Sequence, residues 1–140
     1  MEAVQLLSEV TTWQKILDMQ DDVFRGIMPG SKIGLMVKEQ FGSEGSRMMV
    51  WEIQPGSVQV QDDVFRGFRN SGVDLLFVAE EDALLELYQE QTQEAFSIFS
   101  NMIREGRILF YYLVTHDEIV ANGYEEFLEK VGVPFMGGCH

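Results

Sequence analysis

The sequence has little cysteine, few basic residues and no long apolar run. Cys139 is the single cysteine in 140 residues, which excludes an internal disulfide and favours a reducing compartment. A membrane-spanning helix needs roughly 18 consecutive apolar residues, and no stretch of this chain reaches that length. The N-terminus carries Glu2 rather than the basic residues that start a signal peptide. We therefore expect a cytoplasmic protein without stable insertion in a membrane.

Basic residues are outnumbered by acidic residues, 10 against 23, and the net charge is -13 at pH 7. Such a chain repels phosphate backbones and anionic lipid surfaces over the Debye length, about 10 Å at 0.1 M salt. We therefore expect no nucleic-acid partner, and the same charge disfavours firm docking on an anionic membrane.

Motifs for catalysis and cofactor binding are missing as well. The spacings GxxxxGK[ST], GxGxxG, HExxH and GxSxG do not occur. His116, Asp117 and Glu118 stand at the start of an expected exposed helix, and a structural zinc site normally needs four ligands. Cys139 and His140 lack the third, orienting group that nucleophilic catalysis usually requires. We therefore predict no catalytic residues, no metal and no cofactor, and a protein that binds rather than catalyses.

The apolar content of 46% is sufficient for the core of one domain spanning residues 1–140. Periodic apolar stripes predict helices at both ends of the chain, and β-branched and aromatic runs predict strands between 32 and 114. The expected elements are a helix at 3–19, strands at 32–39, 47–54, 57–61 and 73–79, a helical segment at 83–105, a strand at 108–114 and a helix at 116–131, followed by a loose tail at 133–140.

Several local signals set the boundaries of these elements. The polar stretch 89–93 interrupts the apolar periodicity of the segment 83–105 and predicts that this helix splits. Gly106 follows the last periodic residue and predicts a helix end. Thr115 precedes Glu118 by three residues, the spacing of a capping box. Residues 42–45 predict a hairpin-like loop, and Pro55 and Gly56 predict a tight turn.

The order of these elements resembles the sterol carrier protein family of small lipid-binding domains. The resemblance covers roughly residues 30–131 and rests on an acidic helix followed by a return strand. The matching residues are Asp82, Ala83, Leu84, Leu85, Glu86 and Leu87, and then Ala95, Phe96, Gly106, Arg107, Ile108 and Leu109. It implies an α+β fold with a five-stranded mixed sheet covered mainly on one face by helices. It also implies that the strands at 33–38 and 73–79 are parallel neighbours at the centre of the sheet.

The same resemblance implies non-catalytic binding of a long apolar ligand, such as a fatty acid, an acyl thioester or a sterol-like lipid, between sheet and helices. Burial of ligand methylenes, at about 0.8 kcal/mol each, would supply the affinity. The predicted ligand-binding residues are Trp51, Phe77, Leu84, Tyr88, Phe96, Phe99, Met102, Phe110 and Tyr112. Apolar residues of this kind also fill ordinary cores. The alternative is therefore a regulatory or assembly module with a packed core that acts through protein contacts, and a small enzyme using carboxylates is a third option.

The heptapeptide QDDVFRG occurs twice, at 20–26 and at 61–67. Two copies are too few for a solenoid. We expect each copy to form a short turn that is anchored by a buried Phe24 or Phe65, with both turns at the same end of the sheet. A functional alternative places Arg25 and Arg66 together to bind a carboxylate or phosphate head group. A recent duplication without consequence is a further alternative.

The strands at 33–38, 47–54 and 108–114 carry apolar residues on both faces, whereas a sheet with one wet face alternates apolar and polar residues. The second face therefore needs a cover, supplied either by the N-terminal helix or by a twofold partner. We expect a homodimer.

Overall fold

The computed structural model describes residues 3–41, 45–67, 71–90, 92 and 94–132. The loop tip at 42–44 and the tail at 133–140, which includes Cys139 and His140, lie outside the described residues. The fold is α+β, as predicted. Its helices are α1 (Ala3–Leu6), α2 (Val10–Asp18), α3 (Glu81–Gln89), α4 (Ala95–Arg104), α5 (His116–Ala121) and α6 (Glu125–Lys130). Its strands are β1 (Lys32–Val37), β2 (Arg47–Gln54), β3 (Ser57–Val64), β4 (Leu75–Ala79) and β5 (Ile108–Tyr112).

The five strands form one mixed sheet in the order β3-β2-β1-β4-β5. β1 and β4 are parallel and central, with Ile33 opposite Leu75, and every other pair is antiparallel. The prediction that these two strands are parallel neighbours at the centre is confirmed. No helix among the described residues is long and apolar enough to cross a membrane.

One face of the sheet carries the main core. Leu35, Trp51 and Phe77 point from the sheet into a cluster that also contains buried residues from α2, α3 and α4. The N-terminal segment contributes Leu6 and Trp13 to the same cluster, where both are almost fully buried. The helices therefore cover this one face, as predicted.

The opposite face of the sheet is buried within the same chain. Its central side chains are each at most 1% exposed: Met36, Met48, Val50, Leu76 and Val78. Phe65 and Val73, from the connection between β3 and β4, belong to the same cluster, and no residue of the described helices does. The N-terminal helix was one of the two expected covers of this face, and it does not cover it. The other expected cover, a twofold partner, is not needed to bury these residues.

The two copies of QDDVFRG fold differently. The first forms a 3₁₀ turn at Asp21–Phe24, whereas the second begins inside β3. Phe24 and Phe65 are 3% and 1% exposed, so their predicted burial is confirmed. The prediction that both turns lie at the same end of the sheet is wrong. Val64 pairs with Arg47 beside the carboxyl end of β1, while the first copy precedes the amino end of β1.

The terminal helices are shorter than predicted. The expected helix at 3–19 is divided between α1 and α2, and the expected helix at 116–131 is divided between α5 and α6. The second break has a clear cause at Gly123, where φ is +80°. A Cβ at this position would collide with the carbonyl oxygen of Gly26. Close packing of two backbones therefore requires glycine here and ends the helix.

A buried polar network lies just after this break. The hydroxyl of Tyr124, a residue with no exposed surface, donates to Asp74 Oδ2 at 2.8 Å. The same carboxylate oxygen accepts from the Lys32 N–H and from Asn122 Nδ2, both at 3.4 Å. Burial, and then the negative charge of Asp74, raise the pKa of the Tyr124 phenol above its ordinary value of 10.0. The network connects the start of β1, the start of β4 and the α5–α6 junction.

Candidate functional site

An apolar crevice lies between the sheet and the helices on the main core face. Three helices and two strands line it with aliphatic and aromatic side chains. The described lining residues are Trp13, Ile16 and Leu17 from α2, Leu35 from β1, Trp51 from β2, Leu87 from α3, and Ala95, Phe96 and Phe99 from α4. None of these side chains carries an acid, a base or a nucleophile, so the crevice is chemically suited to an apolar group.

The crevice is narrow. Its volume is about 20 Å³, which is space for about one water molecule. Sites that enclose a drug-sized ligand usually have volumes of about 300–1,000 Å³. A long chain therefore enters only if the helices move away from the sheet.

The two tryptophans of the crevice differ in their hydrogen bonding. The Trp13 indole N–H donates to the Leu6 carbonyl oxygen at 2.8 Å. Trp51 is 3% exposed. Its buried Nε1 has no hydrogen-bond partner among the described residues. Leaving a buried donor unsatisfied costs about 1–3 kcal/mol. Trp51, which lines the crevice, thus carries a buried donor for which the described residues supply no acceptor.

The surroundings of Trp51 explain why its N–H lacks a partner. Four phenylalanine rings surround the indole at centroid distances of 6.0–6.4 Å: Phe24, Phe77, Phe96 and Phe99. Phenylalanine rings carry no lone-pair acceptor, and a contact between an N–H and a ring recovers only part of a hydrogen bond.

Gln20 fixes one wall of the crevice. This side chain is 6% exposed, and its amide nitrogen donates to the Thr92 carbonyl at 3.0 Å. Its amide oxygen accepts from the Phe96 N–H at 3.3 Å. The start of α4, which carries Phe96, is thereby connected to the 3₁₀ turn of the first heptapeptide. Gln20, the first residue of that heptapeptide, therefore has a structural role.

The predicted ligand-binding residues are only partly brought together. Trp51, Phe96 and Phe99 line the crevice. Phe77 lies behind them, with its ring centroid 5.0 Å from that of Phe99. Leu84 and Met102 are buried in the same core without lining the crevice.

The remaining predicted residues lie further away. Tyr88 is half-buried, with its ring 5.8 Å from that of Trp13. Phe110 and Tyr112 lie on the outermost strand, β5, where Tyr112 is 43% exposed. Partial burial raises the pKa of the Tyr112 phenol. These three residues do not line the crevice, so it is smaller than the predicted site.

Several lining residues were not among the predicted ones, including Ile16, Leu35 and Leu87. The stripe that contains Trp13 and Leu17 showed an apolar helix face, but its packing partner could not be identified from sequence. The three-dimensional fold places that face opposite Trp51 and α4.

The predicted head-group pair does not form. Arg25 lies near the amino end of β1 and Arg66 near its opposite end, because the two heptapeptides occupy opposite ends of the sheet. Arg66 is instead paired with Asp63, at 3.0 Å. Among the described residues, no group of three or more histidine, cysteine, aspartate or glutamate side chains is arranged to hold a metal ion.

Comparisons with known proteins give a weak structural similarity. No protein-family model matches this sequence, and no curated protein matches it. Among solved structures, the chain is similar to the solution structure of a conserved hypothetical protein from Thermus thermophilus, described as "possibly sterol carrier protein". The sequences are 12% identical, the similarity covers 92% of this chain and 89% of that chain, and the TM-score is 0.45. At this identity and TM-score, the similarity establishes neither a family nor a function for this chain.

Proposed function

We propose that this protein binds, without catalysis, an elongated apolar molecule with a hydrogen-bond-accepting oxygen at one end, such as a fatty acid or a long-chain alcohol. The ligand occupies the crevice between the sheet and the helices. The observation that carries the proposal is the unsatisfied indole N–H of Trp51, a residue that lines an apolar crevice. A ligand oxygen supplies the missing acceptor, and the alkyl chain packs on the surrounding rings.

Binding requires the crevice to widen, since its volume of about 20 Å³ does not hold an alkyl chain. α2 and α4 contribute most of its helical wall, and their separation from the sheet interrupts apolar contacts. Each buried ligand methylene returns about 0.8 kcal/mol, so a chain of about ten carbons gains about 8 kcal/mol before that cost is subtracted. We therefore expect chain length to determine affinity and the Trp51 N–H to determine selectivity.

The test uses a fluorescent conjugated-polyene fatty acid, displaced by decan-1-ol or by decane. Trp51→Phe removes the donor and keeps an aromatic ring. A net hydrogen bond contributes about 0.5–1.5 kcal/mol, so the variant should lose about 2- to 13-fold in affinity for decan-1-ol. Its affinity for decane should change much less, because decane has no acceptor.

Trp13→Phe is the matched control. It makes the same chemical change in the same crevice, but the Trp13 N–H already donates to Leu6. The ratio of decanol affinity to decane affinity should stay at the wild-type value in this variant. Absence of saturable binding of the fatty acid to the folded wild-type protein would overturn the proposal.

A regulatory or assembly module with a packed core is the second candidate. The small volume of the crevice, about 20 Å³, favours it. It predicts that no apolar probe binds and that both tryptophan variants change only the stability of the protein.

A further inference from the structure

The outermost strand β5 exposes apolar side chains on both faces of the sheet. Leu109 and Tyr112, which point to opposite faces, are 40% and 43% exposed, and Tyr111 is 37% exposed. All five residues of β5 are uncharged, although the whole chain carries a net charge of -13. An exposed, uncharged edge strand of this kind is a template for pairing with another strand.

The other edge of the sheet is protected against such pairing. On β3, the Gln14 amide donates to the Val58 carbonyl at 2.6 Å and accepts from the Val60 N–H at 2.8 Å. Asp62 and Asp63 add charge to the end of the same strand. Among the described residues, no side chain forms such hydrogen bonds with the backbone of β5, and no residue of β5 is charged. The two edges of the sheet therefore differ in their protection against pairing.

The register of β5 shows which of its backbone groups point away from β4. The Leu113 N–H donates to the Asp74 carbonyl and the Glu80 N–H donates to the Arg107 carbonyl. Odd-numbered residues of β5 therefore direct their N–H and C=O toward β4. In an antiparallel ladder the intervening residues direct theirs the other way, so the N–H and C=O groups of Ile108, Phe110 and Tyr112 point to the side of β5 on which no described strand pairs.

We propose that β5 pairs with β5 of a second copy of this chain. The two strands run antiparallel about a twofold axis at Phe110, which places Ile108 opposite Tyr112 of the other copy. Each outward N–H then meets an outward C=O, and about six backbone hydrogen bonds form. The two five-stranded sheets become one continuous sheet.

The side chains also match in this register. Phe110 faces its own copy, and Leu109 faces Tyr111, so every cross-strand pair is apolar or aromatic. Such pairs stabilise antiparallel strands, and no like charges stand opposite each other within the strand. The interface is separate from the crevice and does not depend on ligand binding.

Sedimentation equilibrium of the full chain tests the proposal. The average mass should rise from 16.0 kDa toward twice that value between low-micromolar and near-millimolar concentration. Higher salt should increase the dimer fraction, because the two acidic chains repel each other and salt screens the repulsion. A dimer held by ion pairs would respond in the opposite direction.

A pair of substitutions at Tyr112 isolates the backbone contribution. Tyr112→Thr and Tyr112→Pro both remove the aromatic ring, but only proline removes the outward N–H, and it leaves the ladder to β4 intact. The dimer dissociation constant of the proline variant should exceed that of the threonine variant by about 5- to 160-fold, because the twofold axis doubles the loss of one hydrogen bond. Equal dissociation constants would contradict the register.

Hydrogen exchange of the wild-type protein provides a test without substitution. The amides of Phe110 and Tyr112 should exchange fast at low concentration and slowly at high concentration. Those of Leu109 and Tyr111, which face β4, should be protected throughout. A monomer at every concentration and salt condition, or fast exchange of the Phe110 and Tyr112 amides throughout, would overturn the proposal.

Discussion

Replacing Tyr124 by phenylalanine removes one hydroxyl from the buried polar network at the α5–α6 junction. That hydroxyl donates to Asp74 Oδ2 at 2.8 Å. The carboxylate oxygen keeps two longer contacts, to the Lys32 N–H and to Asn122. Hydrogen bonds to charged groups contribute about 1.5–3 kcal/mol. We therefore expect Tyr124→Phe to lower the free energy of unfolding at pH 7 by about 2 kcal/mol.

The difference between the wild type and this variant should depend on pH. Because the folded protein raises the pKa of Tyr124 above 10.0, the phenol keeps its proton to higher pH in the folded state than in the unfolded state. Its contribution is fully present below the unfolded pKa and is lost as the pH rises above about 10, by about 1.4 kcal/mol per pH unit. The wild type, more stable than the variant by about 2 kcal/mol at pH 7, should therefore lose this difference about one and a half units above pH 10.

Urea unfolding between pH 7 and pH 12 measures both effects. Tyr111→Phe is the matched control, since Tyr111 is 37% exposed on β5, and such a surface change should stay within about 0.5 kcal/mol. A Tyr124→Phe variant as stable as the wild type at pH 7 would refute the importance of the hydrogen bond. A stability difference that stays constant up to pH 12 would refute the protonation argument.

Two further pairs of substitutions test individual contacts of the fold by urea unfolding. Gly30→Ala should cost about 1–2 kcal/mol for its positive φ alone, since nothing lies within 4 Å of a Cβ there. Gly123→Ala should lower the free energy of unfolding by about 1–3 kcal/mol more than Gly30→Ala, because its Cβ collides with the Gly26 carbonyl. Equal losses of stability in the two variants would contradict the close approach of the two backbones. Gln14→Ala removes both side-chain hydrogen bonds to the β3 edge and should cost about 1–3 kcal/mol. Gln59→Ala, which removes only an exposed contact on β3, should stay within about 0.5 kcal/mol; equal effects would show that the clamp does not stabilise the edge.

The elements that the sequence predicted well are those set by local signals. The predicted split of the helix is confirmed, since α3 ends at Gln89 and α4 begins at Ala95, and Gly106 follows α4 with a φ of +80°. Thr115 caps α5, since its hydroxyl accepts from the Glu118 N–H at 3.2 Å. In each case the residues that determine the structure are neighbours in the chain.

The features that the sequence could not predict depend on distant residues. The apolar stripe through Tyr124 looks continuous in sequence, but contacts of Gly123 with Gly26 and of Tyr124 with Asp74 break the helix. The identical heptapeptides differ because the second extends β3 and pairs with β2, while the first is held through Gln20 against α4. Pairing with a neighbouring strand overrides local preference.

The same distinction applies to the candidate site. The resemblance to a lipid-binding family implied Trp51, Phe96 and Phe99 as ligand-binding residues, and these three line the crevice. Whether an indole N–H finds an acceptor depends on every neighbouring chain segment, so the contrast between Trp13 and Trp51 emerges only from the folded structure.

The most direct test of the proposed function is the ¹H–¹⁵N spectrum of the two indole N–H groups during titration with decan-1-ol, assigned with Trp51→Phe. The Trp51 proton starts without an acceptor and should move downfield, in a saturable manner, as the ligand oxygen accepts its hydrogen bond. The Trp13 proton, already bonded to Leu6, should move much less. A Trp51 signal that stays at its starting position at saturating decanol would contradict the proposed binding.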